Sequence, residues 1–331
     1  MASCYDIIVA GGGPAGATAA LELAKRGRSV ALIDRDDRVK PCGGAIPPRA
    51  INDFDIPQSI LKARVTSARM ISPSGREVDM EISNGGYVGM VDREEFDPWL
   101  RERAAHAGAE RMTGRLKAVS RLEDGALQVE INGGDGQTTT LNGRMIIGAD
   151  GANSTVRRSI FGPKKTPPYV FAYHEIVEAE ADPDSKYSPV RCDVIYDGSI
   201  SPDFYGWVFP HGESVSVGCG SAVKGHSLKE ATRKLRDDAG LDNSKTIRRE
   251  GAPLPLKPLR RWDNGRDVVL AGDAAGIVAP SSGEGIYYAM RSGQLCAEAV
   301  EAALETGRAA ELKTARRKFM KEHGRVFWIL G

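Results

Sequence analysis

An excess of charge of either sign is missing from this chain. Its 45 Lys and Arg against 44 Asp and Glu leave a formal +1, where a nucleic-acid-binding surface would bring a basic excess. Cysteine is sparse. Cys4, Cys42, Cys192, Cys219 and Cys296 are scattered, odd in number and without a C-x-x-C pair. That pattern argues against a disulfide framework or a metal site and fits a reduced, cytoplasmic chain. No apolar run is long enough to span a bilayer. No secretory leader is read either, because Met1 to Asp6 passes directly into a strand. Repeats and low-complexity tracts are absent. The 331 residues exceed what one core usually holds, so two lobes are expected.

What is present begins with an apolar run, Tyr5 to Ala10, followed by a glycine turn from Gly11. Ala15 to Arg26 has helical composition and is stopped by Gly27; Ser29 to Ile33 is a buried-type strand ending at Asp34. This is one βαβ unit. Arg38 to Pro57 reads as a loop and then a short helix. Val65 to Met80 reads as a strand pair turning at Pro73-Ser74-Gly75, and Arg93 to Ala107 as a helix closed by Gly108. Glu110 to Ile147 reads as strands of a small sheet with a polar turn at Asn132 to Gly136. From Tyr169 to Ile247 the pattern is mainly β, with strands around Tyr173, Val194, Trp207 and Val217 and a helix over Lys229 to Ala239. A Pro-rich connector, Pro253 to Pro258, leads to a strand at Val268 to Ala271, and a long Ala-rich helix runs from about Gly285 to Glu305.

Three strand–turn–helix segments carry the chemistry. In Gly11-Gly12-Gly13-Pro14-Ala15-Gly16, the first glycine permits the tight turn and Gly13 lets backbone approach a pyrophosphate. Gly16 allows helix and strand to pack closely, and the helix N-terminus attracts the anion. Asp34 follows about 20 residues on, where an acid can bond a ribose hydroxyl. The second segment, Val268 to Gly276, sets Asp273 after a buried strand beside Gly272, suited to a ribityl chain. Its loop Ala279 to Ile286, with Gly283, Glu284 and Gly285, opens a helix whose free amides can face an electron-rich ring. The third, Gly148 to Arg157, holds Asp150 and Gly151 and also reads as an Asx turn with Ser154 or Asn153 capping a helix. Together they indicate FAD, in an arrangement resembling the para-hydroxybenzoate hydroxylase type.

Two further stretches narrow the chemistry. Cys42-Gly43-Gly44 brings a thiol and two glycines suited to close approach to a flat ring, although a small packed cysteine is the bland alternative. Tyr205, Trp207 and Phe209 alternate ahead of Pro210, so on a strand their rings share one face. Such a row is either ordinary core or the lining of an apolar slot.

Pro41-Cys42-Gly43-Gly44 with Pro-x-x-Tyr-x-Trp-x-Phe-Pro at 202 to 210 resembles the geranylgeranyl reductase family. Lys40 to Pro47, Met70 to Pro73, Gly89 to Glu94, Ser199 to Trp207 and Ala279 to Tyr287 are most similar to its phototrophic branch, which saturates the prenyl tail of chlorophylls and bacteriochlorophylls. The resemblance runs from Tyr5 to roughly Leu304. Asp34 departs from it, since many flavoproteins of this fold carry Glu there.

The resemblance implies an α/β fold of two lobes: a discontinuous Rossmann-type FAD-binding lobe (1–65, 90–165 and 258–310) with an inserted, mainly β substrate lobe (66–89 and 166–257). Residues 311–331 are expected to form a C-terminal helix. Relatives continue into a further helical part, so a missing tail is expected where this chain ends on the apolar run Val326 to Gly331. Gly11, Gly13, Pro14, Ala15, Gly16, Asp34, Arg35, Cys42, Gly43, Gly44, Ala45, Arg93, Asp150, Gly151, Gly272, Asp273, Gly283, Glu284, Gly285 and Ile286 are implied to touch the cofactor. Cys42, Gly43 and Gly44 are placed at the chemistry, and Tyr205, Trp207, Phe209 and Pro210 against the substrate. The implied reaction is reduction of isolated alkenes by hydride from reduced FAD. Only one dinucleotide fingerprint is present, so NADPH, or ferredoxin in its stead, is expected to donate electrons transiently. A peripheral contact at a photosynthetic or inner membrane is expected from so apolar a substrate. Competing readings are a flavin hydroxylase, a reductase of archaeal-type prenyl lipids and a non-enzymatic prenyl escort protein.

Overall fold

A computed structural model describes residues 4–35, 39–82, 85–134, 136–180 and 185–329. The chain divides into two compact units, Met1–Arg38 with Asp97–Pro168 and Pro255–Gly331, and Val39–Phe96 with Tyr169–Leu254.

The first unit is built on a seven-stranded sheet. Its path runs Glu110–Thr113, Val30–Asp34, Cys4–Ala10, Thr138–Gly148, Leu127–Asn132 and Arg115–Arg121, with Val268–Leu270 added to Thr138–Gly148. The central pairs are parallel. Strands such as Ile7–Ala10 and Val30–Ile33 are buried throughout, as expected when both faces are covered. The strands between Glu110 and Gly148 do not make a small sheet of their own. Thr138–Gly148 is eleven residues long. Its first half pairs antiparallel with Leu127–Asn132, and its second half pairs parallel with Cys4–Ala10 and Val268–Leu270.

Helices Pro14–Ala24 and Ile286–Thr306 pack against each other at backbone range: a Cβ on Gly293 would lie 2.2 Å from the Ala15 carbonyl oxygen. The last helix, Lys313–Ile329, buries Phe319 and Phe327. Phe319 meets Trp262 at 5.3 Å between ring centroids, and Phe327 meets Tyr288 at 5.2 Å. Trp328 points outward, 81% exposed. Leu330 and Gly331 of the terminal apolar run lie outside the described residues, as do Met1 to Ser3, Arg38 and Asp135. Among the described residues no helix is long and apolar enough to cross a membrane.

The second unit holds a second seven-stranded sheet, ordered Thr246–Pro255, Tyr169–Glu178, Ser214–Ser221, Gly206–Pro210, Arg191–Ile195, Ser67–Ile71, Glu77–Glu81. A three-stranded sheet joins Ala45–Ile46, Val88–Met90 and Ala63–Val65. The expected Pro-rich connector is in part strand. Pro253 and Pro255 close Thr246–Pro255, which lies at the sheet edge, where a residue without N–H costs no ladder bond. Helix Leu228–Ala239 starts at the Ser227 cap and stops at Gly240, φ +70°. It covers one face of the sheet, with Ala231, Leu235 and Ala239 buried among Val208, Val215, Val217 and Cys219. Gly206 keeps that face flat, since a Cβ there would stand 2.8 Å from Leu235 Cδ1. With Gly206 and Val208 turned to the helix, the period of two sends Trp207 and Phe209 to the opposite face.

Candidate active site

In the first unit the turn after Cys4–Ala10 has room for backbone alone. Gly11 has φ +101°, and a Cβ on Gly16 would lie 1.8 Å from the Gly11 carbonyl oxygen. Gly13 is the N-cap of Pro14–Ala24 and Pro14 its first residue; neither a side-chain cap nor an acid occupies the first turn. The amides of that turn are therefore directed at whatever binds there, and the dipole favours an anion. Asp34 ends Val30–Asp34, with Arg35 next in the chain. Its carboxylate accepts the Gly12 amide. Burial raises the Asp34 carboxyl above its ordinary range, against the opposing pull of Arg101 and the Gly12 amide. An acid so placed gains when ribose hydroxyls donate to it.

The other two strand–turn–helix segments are more self-contained. Asp150 accepts from Ser154 Oγ and from the Thr155 amide at 2.6 Å and the Val156 amide at 3.1 Å. Ser154 in turn accepts the Arg157 amide at 2.8 Å. The capping expected of Ser154 is thus present, and Asp150 spends most of its acceptor capacity on the same helix end. Gly151 has φ +80° and open space where a side chain would stand. Arg157, only 2% exposed, donates to Ala274 O at 3.0 Å and Ala152 O at 2.6 Å. It ties the Asp150 turn to the Gly272–Ala275 turn that holds buried Asp273. Gly272 donates to Ser292 Oγ at 2.9 Å.

Gly283, Glu284 and Gly285 precede Ile286, the first residue of the long helix. The amides at that end are not free as expected. Glu284 folds over them, accepting from the Tyr287 amide at 2.8 Å. Burial drives its carboxyl up to about 7 even so.

Taken together, the glycine cradle, the uncapped Pro14–Ala24 helix and the acid at the end of the second strand suit FAD.

The second unit brings together the two stretches that the sequence singled out. Cys42, Gly43 and Gly44 lead into Ala45–Ile46, and a Cβ on Gly43 would lie 3.2 Å from Phe209 Cδ2 and 3.8 Å from Trp207 Nε1. Cys42 is half-buried, and the Gly44 amide donates to its sulfur at 3.4 Å. Tyr205 precedes the strand, Trp207, Phe209 and Pro210 lie in it, and the rings run in sequence at 6.1 and 6.3 Å between centroids. Arg93, buried, opens helix Arg93–His106.

Several polar residues were invisible to the sequence reading. Trp207 Nε1 donates to Ser216 Oγ at 3.1 Å; His174 Nδ1 meets the same oxygen at 3.0 Å, and His174 Nε2 meets Glu250 at 3.2 Å. His211 lies 2.9 Å from Asp92 Oδ1 and 3.0 Å from Gly43 O. In the first unit, Arg101 approaches Asp34 at 4.0 Å. None of these pairs is a motif. Asp92 lies within the Gly89 to Glu94 stretch that carried the resemblance, and His211 directly follows Phe209-Pro210.

An FAD binding domain family matches residues 4–322. The geranylgeranyl diphosphate reductase of Rhodobacter capsulatus is 58% identical, over 98% of this chain and 82% of its own. The chloroplastic geranylgeranyl diphosphate reductase of Nicotiana tabacum is 40% identical, over 97% and 71%. A geranylgeranyl bacteriochlorophyll reductase-like protein from Thermoplasma acidophilum superposes with a TM-score of 0.85 at 26% identity, covering 98% of this chain and 86% of that one. The α/β fold of two lobes, the flavoprotein character and the enzymatic class agree across these matches. The chain therefore belongs to the geranylgeranyl diphosphate reductase family of FAD-binding-domain proteins.

Proposed function

We propose that the chain is an FAD-dependent reductase that saturates isolated C=C bonds of a geranylgeranyl group. The group is borne on a diphosphate or on a chlorophyllide or bacteriochlorophyllide ester, and the product is phytyl. The observation that carries this reading is the meeting of the Cys42–Gly44 loop with the Trp207 and Phe209 rings. Because the Trp207 N–H is taken by Ser216, the indole has ring surface left to present, which suits an apolar chain.

FAD, once reduced, supplies the hydride. Gly11, Gly13, Pro14, Ala15 and Gly16 hold its pyrophosphate and Asp34 with Arg35 its ribose. Asp150, Gly151, Gly272, Asp273, the Gly283–Ile286 loop, Arg93 and Cys42 to Ala45 complete the set by family resemblance. An unactivated alkene has no carbonyl to polarise, so the residues act by position and by excluding water. Tyr205, Trp207, Phe209 and Pro210 line the prenyl slot, and the ring faces stabilise cationic charge developing on the chain. Cys42 either supplies the proton for the second alkene carbon or positions the ring.

Electrons come from NADPH, or from reduced ferredoxin, docking transiently. The enzyme works at the cytoplasmic side of a membrane that holds its substrate, in peripheral contact; exposed Trp328 supports such a contact. Incubating the FAD-loaded protein with geranylgeranyl diphosphate and NADPH or reduced ferredoxin, followed by mass analysis, tests the proposal. Products heavier in steps of two hydrogens support it. Oxygen incorporation into an aromatic substrate instead would establish the hydroxylase reading.

A further inference from the structure

His211 connects parts of the second unit that are far apart in sequence. It follows strand Gly206–Pro210, is 6% exposed, and starts the return toward Ser214–Ser221 with its amide on Ser214 O at 2.7 Å. Its Nδ1 faces Asp92 Oδ1 at 2.9 Å and its Nε2 faces Gly43 O at 3.0 Å. Both partners are oxygens that accept. A carbonyl has no proton to give. Asp92 has none either: burial would raise its carboxyl, yet it stays below its ordinary range, with the charges of Lys62 and Arg248 among the causes that lower it. Both contacts are hydrogen bonds only when both ring nitrogens donate, as they do in the imidazolium.

The fit around the ring is close. Gly44 has φ +72°, and a Cβ there would stand 2.4 Å from His211 Cε1 and 2.4 Å from Val91 O. The Gly44 carbonyl accepts the Val91 amide at 2.9 Å. The loop is thus held on one side by backbone and on the other by the His211 ring.

We propose that His211, as the imidazolium, is a positioning residue that clamps the Cys42–Gly44 loop, and that loss of its proton loosens the loop. The neutral ring has a single N–H for two acceptors, so one of the two bonds is given up. Asp92 keeps its claim because it is charged, and the Gly43 carbonyl is released. The ionisable groups bearing on this pair are Asp92, Lys62 and Arg248, with Glu95 paired to Lys62, and Glu94 and Glu250 to Arg248; Cys42 is on the loop itself. The role in turnover rests on the proposed function; the clamp does not.

The test is amide hydrogen exchange over residues 42–46 in the FAD-loaded full chain, expressed as protection factors so that intrinsic exchange is removed. Between about pH 5.5 and about 8.5, wild-type protection should fall about tenfold as pH rises, the scale of one charge-assisted hydrogen bond. His211→Lys, a cation throughout, should stay protected and flat across that range. His211→Phe should be loose at every pH. Asp92→Asn, which keeps an acceptor but loses the charge, should loosen at lower pH than wild type. Wild-type protection independent of pH, or equal protection in His211→Phe, would overturn the clamp. In turnover of a geranylgeranyl substrate, His211→Phe should lower kcat with little change in KM, and His211→Lys should restore it. A loosened loop with unchanged kcat would overturn the positioning role. Failure of wild type to reduce any prenyl alkene, with the pH-dependent protection intact, would overturn the proposed function and not the clamp.

Discussion

The two units build their candidate sites from different materials. In the first, the site is mostly backbone: a Gly11 turn with no room for side chains, an uncapped helix end and one acid at a strand terminus. In the second, it is side chains tied across long intervals of sequence, with His211 bonded to Asp92 and His174 to Glu250. A backbone site tolerates change only where no Cβ intrudes. A side-chain site can be altered atom by atom, and its pieces answer separately.

That difference suggests how to break each one. The largest effect is expected from Gly16→Val, whose Cβ has no space beside Gly11 O. It should abolish FAD retention and cost about 3 kcal/mol or more of stability, read from flavin absorbance of the purified protein and from thermal melting. Full flavin content would show that the turn is not the cofactor cradle. Ser216→Ala comes next. It leaves the Trp207 N–H and His174 Nδ1 without their shared partner in a fully buried place, at a cost of about 1–3 kcal/mol. FAD content should be unchanged while prenyl turnover falls; loss of FAD instead would blur the distinction between the units.

Glu284 sharpens the comparison through pH. Its carboxyl lies at about 7 in the folded chain against an ordinary 4.5, so the native state holds that proton more tightly than the unfolded one. Stability of FAD-free protein should then decline as pH rises across that interval. Glu284→Gln, which still accepts the Tyr287 amide, should remove that decline and match wild type at the acid end. Melting curves at a series of pH values decide it, and parallel curves for the two proteins would refute the buried-carboxyl account. The smallest effect is expected from Lys318→Ala, which breaks an exposed pair with Glu298. A change above about 1 kcal/mol there would contradict its surface character.

The same contrast explains what could be read from sequence. Gly11 to Gly16 with Asp34 spell out their geometry because turn, helix end and acid are local and fixed in spacing. The ring row was legible for the same reason, since alternation on one strand needs no partner. The His211–Asp92 and Ser216 contacts were not, because such residues meet only after the sheet and its loops have formed. The strands between Glu110 and Gly148 were recognised as strands, yet not as part of the first sheet. Pairing partners far apart in the chain, such as Ala31 with Glu110, Ile146 with Val268 and Cys4 with Asn142, leave no periodic signal. The closing of the long helix by Glu284 was missed because Gly283-Glu284-Gly285 reads as turn chemistry, not as a cap.

The central claim is hydride transfer to an isolated prenyl alkene, and the direct test is anaerobic. The purified FAD-loaded protein is reduced, a geranylgeranylated bacteriochlorophyllide or, separately, geranylgeranyl diphosphate is added, and flavin absorbance is followed with the mass of the prenyl compound. Reoxidation of the flavin, matched by that mass rising in steps of two hydrogens, is the predicted result. Flavin that stays reduced beside unaltered pigment and unaltered geranylgeranyl diphosphate would contradict the account.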